Sequence, residues 1–81
     1  MSARFGTMLL ERRRQRGMSI QQVANTIKIR PQIIEYFEQG DFTAMPPRGY
    51  AQGMIASYAR FLGLNPRTVV AAYFEDLDAY E

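Results

Sequence analysis

The 81-residue chain has no cysteine, no histidine and no tryptophan. Without cysteine there is no disulfide, no thiolate nucleophile and no zinc–cysteine site. Without histidine the commonest general base and the commonest metal ligand are both missing. No glycine-rich phosphate loop occurs, and no apolar run is long enough to cross a bilayer. The first residues, Met-Ser-Ala-Arg-Phe, lack the apolar core of an export signal. These absences leave a thin inventory for acid–base or nucleophilic chemistry. The expectation is a non-enzymatic binding module with no cofactor and no metal, located in the cytoplasm. Membrane attachment would need a span outside this chain.

What the chain does have is apolar content that is dense for its length. Hydrophobic residues make up 47% of it, with five Phe and five Tyr. A short chain needs that density to build a core, and the length allows one domain, 1–81. Net charge is +2, unevenly placed. Residues 1–40 hold seven Arg/Lys against three Glu, a net +4, and residues 41–81 hold three Arg against five Asp/Glu, a net −2. Solvated helix faces account for much of this. A basic face for phosphate with an acidic tail held away from it is the functional reading.

The chain is organised around the stretch from Met18 to Gly40. Ser19 is a good N-cap, and Gln22 three residues on completes a capping box. Ile20, Val23, Ala24 and Ile27 follow at helical spacing, and the pattern stops at Lys28-Ile29-Arg30. Pro31 restarts it, because proline is tolerated at the first helical position. Ile33, Ile34 and Phe37 form the second stripe, and Gly40 ends it. Two short helices, a small residue (Ala24) in the first and a tight connection read as a helix-turn-helix.

Three further helices surround it. The spacing predicts helices over about 4–16, 19–27, 31–39, 47–62 and 66–79, an all-α five-helix bundle containing a repressor-like helix-turn-helix. In the first, Phe5, Met8 and Leu9 face inward, and Arg12, Arg13, Arg14 and Arg16 suit the negative end of the helix dipole. Arg12 and Arg13 both continue the inward stripe, and one of them is expected to lay its stem over the core or to reach a carboxylate such as Glu38. Phe42 and Met45 are apolar residues in a connection and are expected to plug the edge of the core. Gly63, Asn65 and Pro66 close the fourth helix and open the fifth. The acidic end, Glu75-Asp76-Leu77-Asp78-Ala79-Tyr80-Glu81, opposes its own helix dipole, so a frayed last turn or a continuing chain is expected. The expected interior is Ile20, Val23, Ile27, Ile34, Phe37, Ile55, Tyr58, Leu62, Val70 and Phe74.

Two surfaces are candidates for binding. On the third helix the outward positions are Gln32, Glu35, Tyr36 and Gln39. Bases are read by Arg, Lys, Asn, Gln or Ser near the start of such a helix, and only Arg30 and Gln32 fit. DNA contacts, if made, would be largely electrostatic and would come from Arg14, Arg16, Gln21, Gln22, Lys28, Arg30 and Gln32. On the fourth helix, Ala51, Ile55, Tyr58, Ala59 and Leu62 are enough to seat it. Tyr50, Met54 and Phe61 form an adjoining stripe. Two readings of that stripe stand: wider core contacts, or an exposed protein-binding anchor of Tyr50 and Met54 with Arg48 and Gln52 as a polar rim. Gly49 and Gly53 flank it and would admit another backbone, from this chain or from a partner.

The pattern resembles the cytoplasmic helix-turn-helix domain of the RodZ family over about residues 5–74. The pieces that carry the resemblance include Phe5-Gly6, Leu9, Arg13, Gly17-Met18-Ser19, Ile29-Arg30-Pro31 and Glu38-Gln39-Gly40-Asp41-Phe42. The most specific part is the combination of that last segment with Ser57-Tyr58-Ala59-Arg60-Phe61-Leu62-Gly63-Leu64, because generic repressor domains lack the second piece. The resemblance implies a five-helix domain that precedes a linker and a membrane span, docks on the bacterial actin MreB and helps maintain cell shape. It implies docking through the fourth helix, at the positions of Tyr50 and Met54. Met54 stands where the family commonly has an aromatic, and Arg12 and Tyr36 where it has small residues. The leading expectation is therefore an adaptor for an MreB-like filament. The alternative is a DNA-binding regulator that reads DNA with the third helix.

Overall fold

Five α-helices make up the regular structure of residues 3–81, which are the residues described by the computed structural model. They are α1 (Arg4–Gln15), α2 (Ile20–Ile27), α3 (Pro31–Gln39), α4 (Arg48–Phe61) and α5 (Pro66–Tyr80). No strand occurs among these residues, so the fold is all-α. Residues 1 and 2, the start of the segment expected to carry no export signal, lie outside them.

Local chemistry sets most helix ends. Ser19 Oγ accepts from the Gln22 N–H at 3.1 Å, and Gln22 Oε1 accepts from the Ser19 N–H at 2.8 Å, a complete capping box. The Asn65 side chain accepts from the Arg67 N–H at 2.9 Å. Pro31 and Pro66 occupy first helical turns, and Gly17, Gly40 and Gly63 take left-handed conformations at helix ends. Pro47 is the N-cap of α4, one residue before the helix.

α1 has no cap of its own, because Ala3 offers no side-chain acceptor. Its cap comes from the far end of the chain. Asp76 Oδ2 accepts from the Phe5 N–H at 2.9 Å, and Glu75 pairs with Arg4 at 2.7 Å. Glu81 pairs with Arg48 at 3.3 Å. The acidic end, expected to oppose its own helix dipole, thus finds partners elsewhere. These carboxylates oppose the dipole of α5, but they meet the positive end of α1 and two arginines.

The core is contributed by all five helices. α4 supplies Ala51, Ile55, Tyr58, Ala59 and Leu62, and α1 supplies Phe5 and Leu9. Val23, Ala24, Ile34 and Phe37 come from the helix-turn-helix, and Val69, Ala72 and Tyr73 from α5. Ile20, Ile27, Val70 and Phe74, expected inside, are only half-buried at the core edge. On α5 the inward row is Val69–Ala72–Tyr73, at three- and four-residue spacing, and Val70 and Phe74 are each rotated one residue away from it. Phe42 plugs the edge as expected, its ring 5.9 Å from Phe5, 6.2 Å from Tyr73 and 5.2 Å from Tyr80.

Gly6 brings α1 against the end of α3. A Cβ there would run into the carbonyl oxygen of Phe37 and come within 2.7 Å of that of Glu38. Backbone atoms cannot swing aside as a side-chain tip would. Gly6→Ala gains about 1 kcal/mol of helix propensity. The helix separation it forces costs about 1–3 kcal/mol. The steric term wins, so the urea midpoint of Gly6→Ala is expected to fall; an unchanged or higher midpoint would show that α1 and α3 are not in backbone contact.

One charged residue lies in the interior. Glu38 is 5% exposed. Arg13 Nε and Nη2 donate to its two carboxylate oxygens at 2.8 and 2.9 Å, and the Tyr58 hydroxyl donates to Oε2. Arg13 Nη1 also donates to the Met18 carbonyl at 2.9 Å. Of the two inward arginines, Arg13 is the one that reaches Glu38. Its bond to Glu38 pushes the Arg13 guanidinium further up. Burial, and then the bond to Glu38, push the Tyr58 hydroxyl far above its ordinary range. An unfolded tyrosine titrates near pH ~10, so on raising the pH the unfolded chain loses this proton before the folded one does. The stability that Tyr58 contributes is complete below about pH 10 and declines above it. At neutral pH, Tyr58→Phe is expected to be less stable by about 1 kcal/mol. Above pH ~10 that difference should shrink by up to about 1.4 kcal/mol per pH unit. Urea midpoints across pH check this, and a difference that ignores pH would place the hydroxyl outside the network.

Candidate functional site

The helix-turn-helix is formed by α2, the connection Lys28–Arg30 and α3. Lys28 closes α2 in the left-handed region, φ 61° and ψ 40°, with its N–H on the Ala24 carbonyl at 2.9 Å. A side chain in that conformation crowds its own backbone. The tight turn imposes it, because α3 has to start at Pro31 with Arg30 as its N-cap. Gln32 and Glu35 are exposed, as expected, while Tyr36 is half-buried. Gln21 and Gln22 are exposed, but Gln21 Nε2 donates to Asn25 at 3.0 Å and Gln22 Oε1 belongs to the capping box. The face that would enter a DNA groove therefore offers Gln32, Arg30 and Lys28 next to the repelling Glu35. Lys28→Gly removes the crowding at the cost of some unfolded-state entropy. It is expected to raise stability by roughly 0.5–1 kcal/mol, with Lys28→Ala, which keeps the Cβ, close to unchanged. Equal midpoints for the glycine and alanine variants would contradict the strained turn.

Seven cations have no carboxylate partner among the described residues: Arg12, Arg14, Arg16, Lys28, Arg30, Arg60 and Arg67. Arg12 donates to the Leu62 carbonyl at 3.3 Å, and an added Cβ at Gly63 would lie 2.8 Å from Arg16 Nη2. Arginines of α1 thus gather at the α4–α5 turn. Arg60 and Arg67 come from the two helices that this turn joins. The acidic half is partly neutralised by Arg4 and Arg48 and by the α1 N-terminus, so the free charge of the surface is predominantly positive.

α4 carries the second surface. Tyr50 is 70% exposed and projects from a helix whose opposite side is fully buried. Met54 is half-buried and packs against the core, and Phe61 does the same. The stripe therefore divides: Tyr50 is a surface group, while Met54 and Phe61 are core-edge contacts. Arg48, expected in a free polar rim, is tied to Glu81 and lies 6.0 Å from the centroid of the Phe74 ring. Gln52 is exposed. Among the described residues, Gly49 and Gly53 meet nothing within 4 Å where a Cβ would be added, so no other backbone there approaches them. Gly53 lies mid-helix, where glycine costs about 1 kcal/mol relative to alanine. Both glycines line an open groove between α4 and α5, together with Gln52, Ala56, Arg60, Pro66, Arg67 and Val70. That Arg60 and Arg67 line one groove was not apparent from the sequence, since nothing in the chain order shows which side of α5 covers α4. The paired glycines were the one available hint.

A sequence model of the helix-turn-helix domain family matches residues 8–69. The chain belongs to that family. The matched span runs from α1 into the first turn of α5 and includes Arg13, Glu38 and Tyr58 as well as the exposed face of α4. No curated protein and no solved structure matches the chain significantly. A helix-turn-helix domain of this kind is a nucleic-acid-binding or protein-binding module, and the fold alone does not choose between them. No helix among its described residues is long and apolar enough to cross a membrane.

Proposed function

We propose that this helix-turn-helix domain is a non-enzymatic, protein-docking adaptor, and that its partner is an MreB-like bacterial actin filament bound through α4. The reading rests on Tyr50. It is a large aromatic group left 70% exposed on a helix that the core holds rigidly, which is the usual setting of an interface anchor. The weak base-reading chemistry of α3 supports it from the other side. The resemblance to the RodZ cytoplasmic domain supplies the filament as partner and cell-shape maintenance as the process. On this reading the domain works on the cytoplasmic side of the membrane. Met54 supports Tyr50 from the core edge, and Gln52 lies alongside.

A second reading, a DNA-binding regulator, is favoured by one observation: Arg14, Arg16, Lys28 and Arg30 carry charge with no carboxylate partner among the described residues. One experiment separates the two. Cosedimentation with purified MreB-like filaments is expected to show Tyr50→Ala weakening binding by about 2 kcal/mol or more. Its urea midpoint should shift by less than the equivalent of ~0.5 kcal/mol, because the side chain is at the surface. Short duplex DNA is titrated in parallel from low to high salt. Filament binding that ignores Tyr50 would remove α4 as the docking surface, and steeply salt-dependent duplex binding with no filament binding would replace the adaptor by the second reading.

A further inference from the structure

The open groove between α4 and α5 includes Gly49, the neighbour of Tyr50 in α4, and nothing among the described residues covers it. Its floor is Gly49, Gly53 and Ala56, and Arg60 and Arg67 stand at one end with Gln52 at the flank. At 100° per residue, Gly53 and Tyr50 both point away from the Ala51–Ile55–Leu62 face, so one ligand can touch both. Neither arginine has a carboxylate partner among the described residues, and no acidic residue lines the groove. Gly6, by contrast, meets a backbone within this chain, while Gly49 and Gly53 meet nothing.

We infer that this groove receives an acidic helix of the docking partner, lying along α4 with its backbone over Gly49 and Gly53 and its carboxylates on Arg60 and Arg67. The inference rests on the docking reading above and names the chemistry of the partner's contact. A trough between two packed helices suits a third helix, and small residues on its floor allow a short interaxial distance. The carboxylates follow from charge complementarity with two forked guanidinium groups. A second copy of this chain is a poor occupant: its Glu75, Asp76 and Glu81 are already bonded to Arg4, Phe5 and Arg48, leaving Asp78 at that end.

Two arms test this. In the first, Gly53→Leu and the double variant Arg60→Glu/Arg67→Glu are assayed beside Tyr50→Ala for filament cosedimentation and thermal unfolding. Gly53→Leu is expected to keep or raise Tm, because the site is open and leucine is the better helix former. Filament binding should weaken about tenfold or more in both groove variants. Binding lost in Tyr50→Ala but intact in both would overturn the groove and leave the docking reading standing. In the second arm, an acidic Ala/Glu-rich helical peptide and its Gln-substituted twin are titrated into the free chain and followed by NMR. Shifts at Gly49, Gly53 and Arg60 with the acidic peptide, and weaker ones with the twin, are expected. This arm stands even if the filament fails to bind, an outcome that would sink the docking reading alone. Absence of groove shifts, duplex DNA binding lost on Arg60→Glu/Arg67→Glu, or a wild-type dimer dissolved by Gly53→Leu would each overturn the acidic-helix occupant.

Discussion

The Glu38 carboxylate is bonded from two other helices, and the arrangement of the bundle depends on it. Arg13 reaches it from α1 with both prongs of the guanidinium, and Tyr58 reaches it from α4. The same Arg13 holds the Met18 carbonyl just before α2. One buried carboxylate therefore fixes α1, α3 and α4 relative to one another and places the start of α2. A charge taken out of water is tolerated only when its partners are complete. Here no buried polar side-chain atom among the described residues is left without a partner. Removing Arg13 would leave the buried carboxylate without its cation, which is far costlier than losing an exposed ion pair such as Arg4–Glu75. Apolar burial provides the bulk of the driving force. The Arg13–Glu38–Tyr58 cluster adds fixed points of attachment between α1, α3 and α4.

Features set by neighbouring residues were legible in the sequence. The Ser19 capping box, the Pro31 and Pro66 starts and the glycine ends of α1, α3 and α4 need only a few adjacent residues, and the helix periodicity needs one helix at a time. Features set by distant contacts were not. The cap of α1 is Asp76, 71 residues away from the N–H it accepts from. Read locally, that carboxylate is at the wrong end of α5. In three dimensions it is at the right end of α1. The choice between Arg12 and Arg13 was open for the same reason: one residue of rotation sends Arg13 inward to Glu38 and Arg12 to the Leu62 carbonyl. The rotation of α5, which buries Ala72 and leaves Val70 and Phe74 at the edge, depends on α1 and α4 and is invisible in α5 alone.

The candidate surface was partly legible. Surplus apolar groups on α4 pointed to it, but the stripe was read as a unit, and it divides at Met54 because residues four apart on a helix can still differ in what covers them. Tyr50 lies near the start of α4, where the preceding connection leaves it open. Met54, one turn on, has the core within reach. The cations expected to face DNA are exposed, yet two of the three glutamines expected with them are engaged, Gln22 in a cap and Gln21 with Asn25, which leaves Gln32. Capping and reading compete for the same side chains, and in α2 capping has taken Gln22.

The division of labour between α3 and α4 follows from the same buried cluster. In a helix-turn-helix that reads DNA, the second helix of the motif lies in the major groove and the rest of the domain supports it. Here α3 contributes Ile34, Phe37 and Glu38 to the interior and has little polar chemistry left for base edges. α4 has the opposite balance. Its inward face is anchored by Tyr58 to Glu38 as well as by Ala51, Ile55 and Leu62, so its outward face is free to vary without loosening the fold. Gly53 shows the consequence: a residue that weakens its own helix is tolerated where the buried side is this strongly held, and the surface over it stays open. A helix whose position is set entirely from one side is a rigid platform on the other, and a rigid platform carries an anchor with little entropy lost on binding.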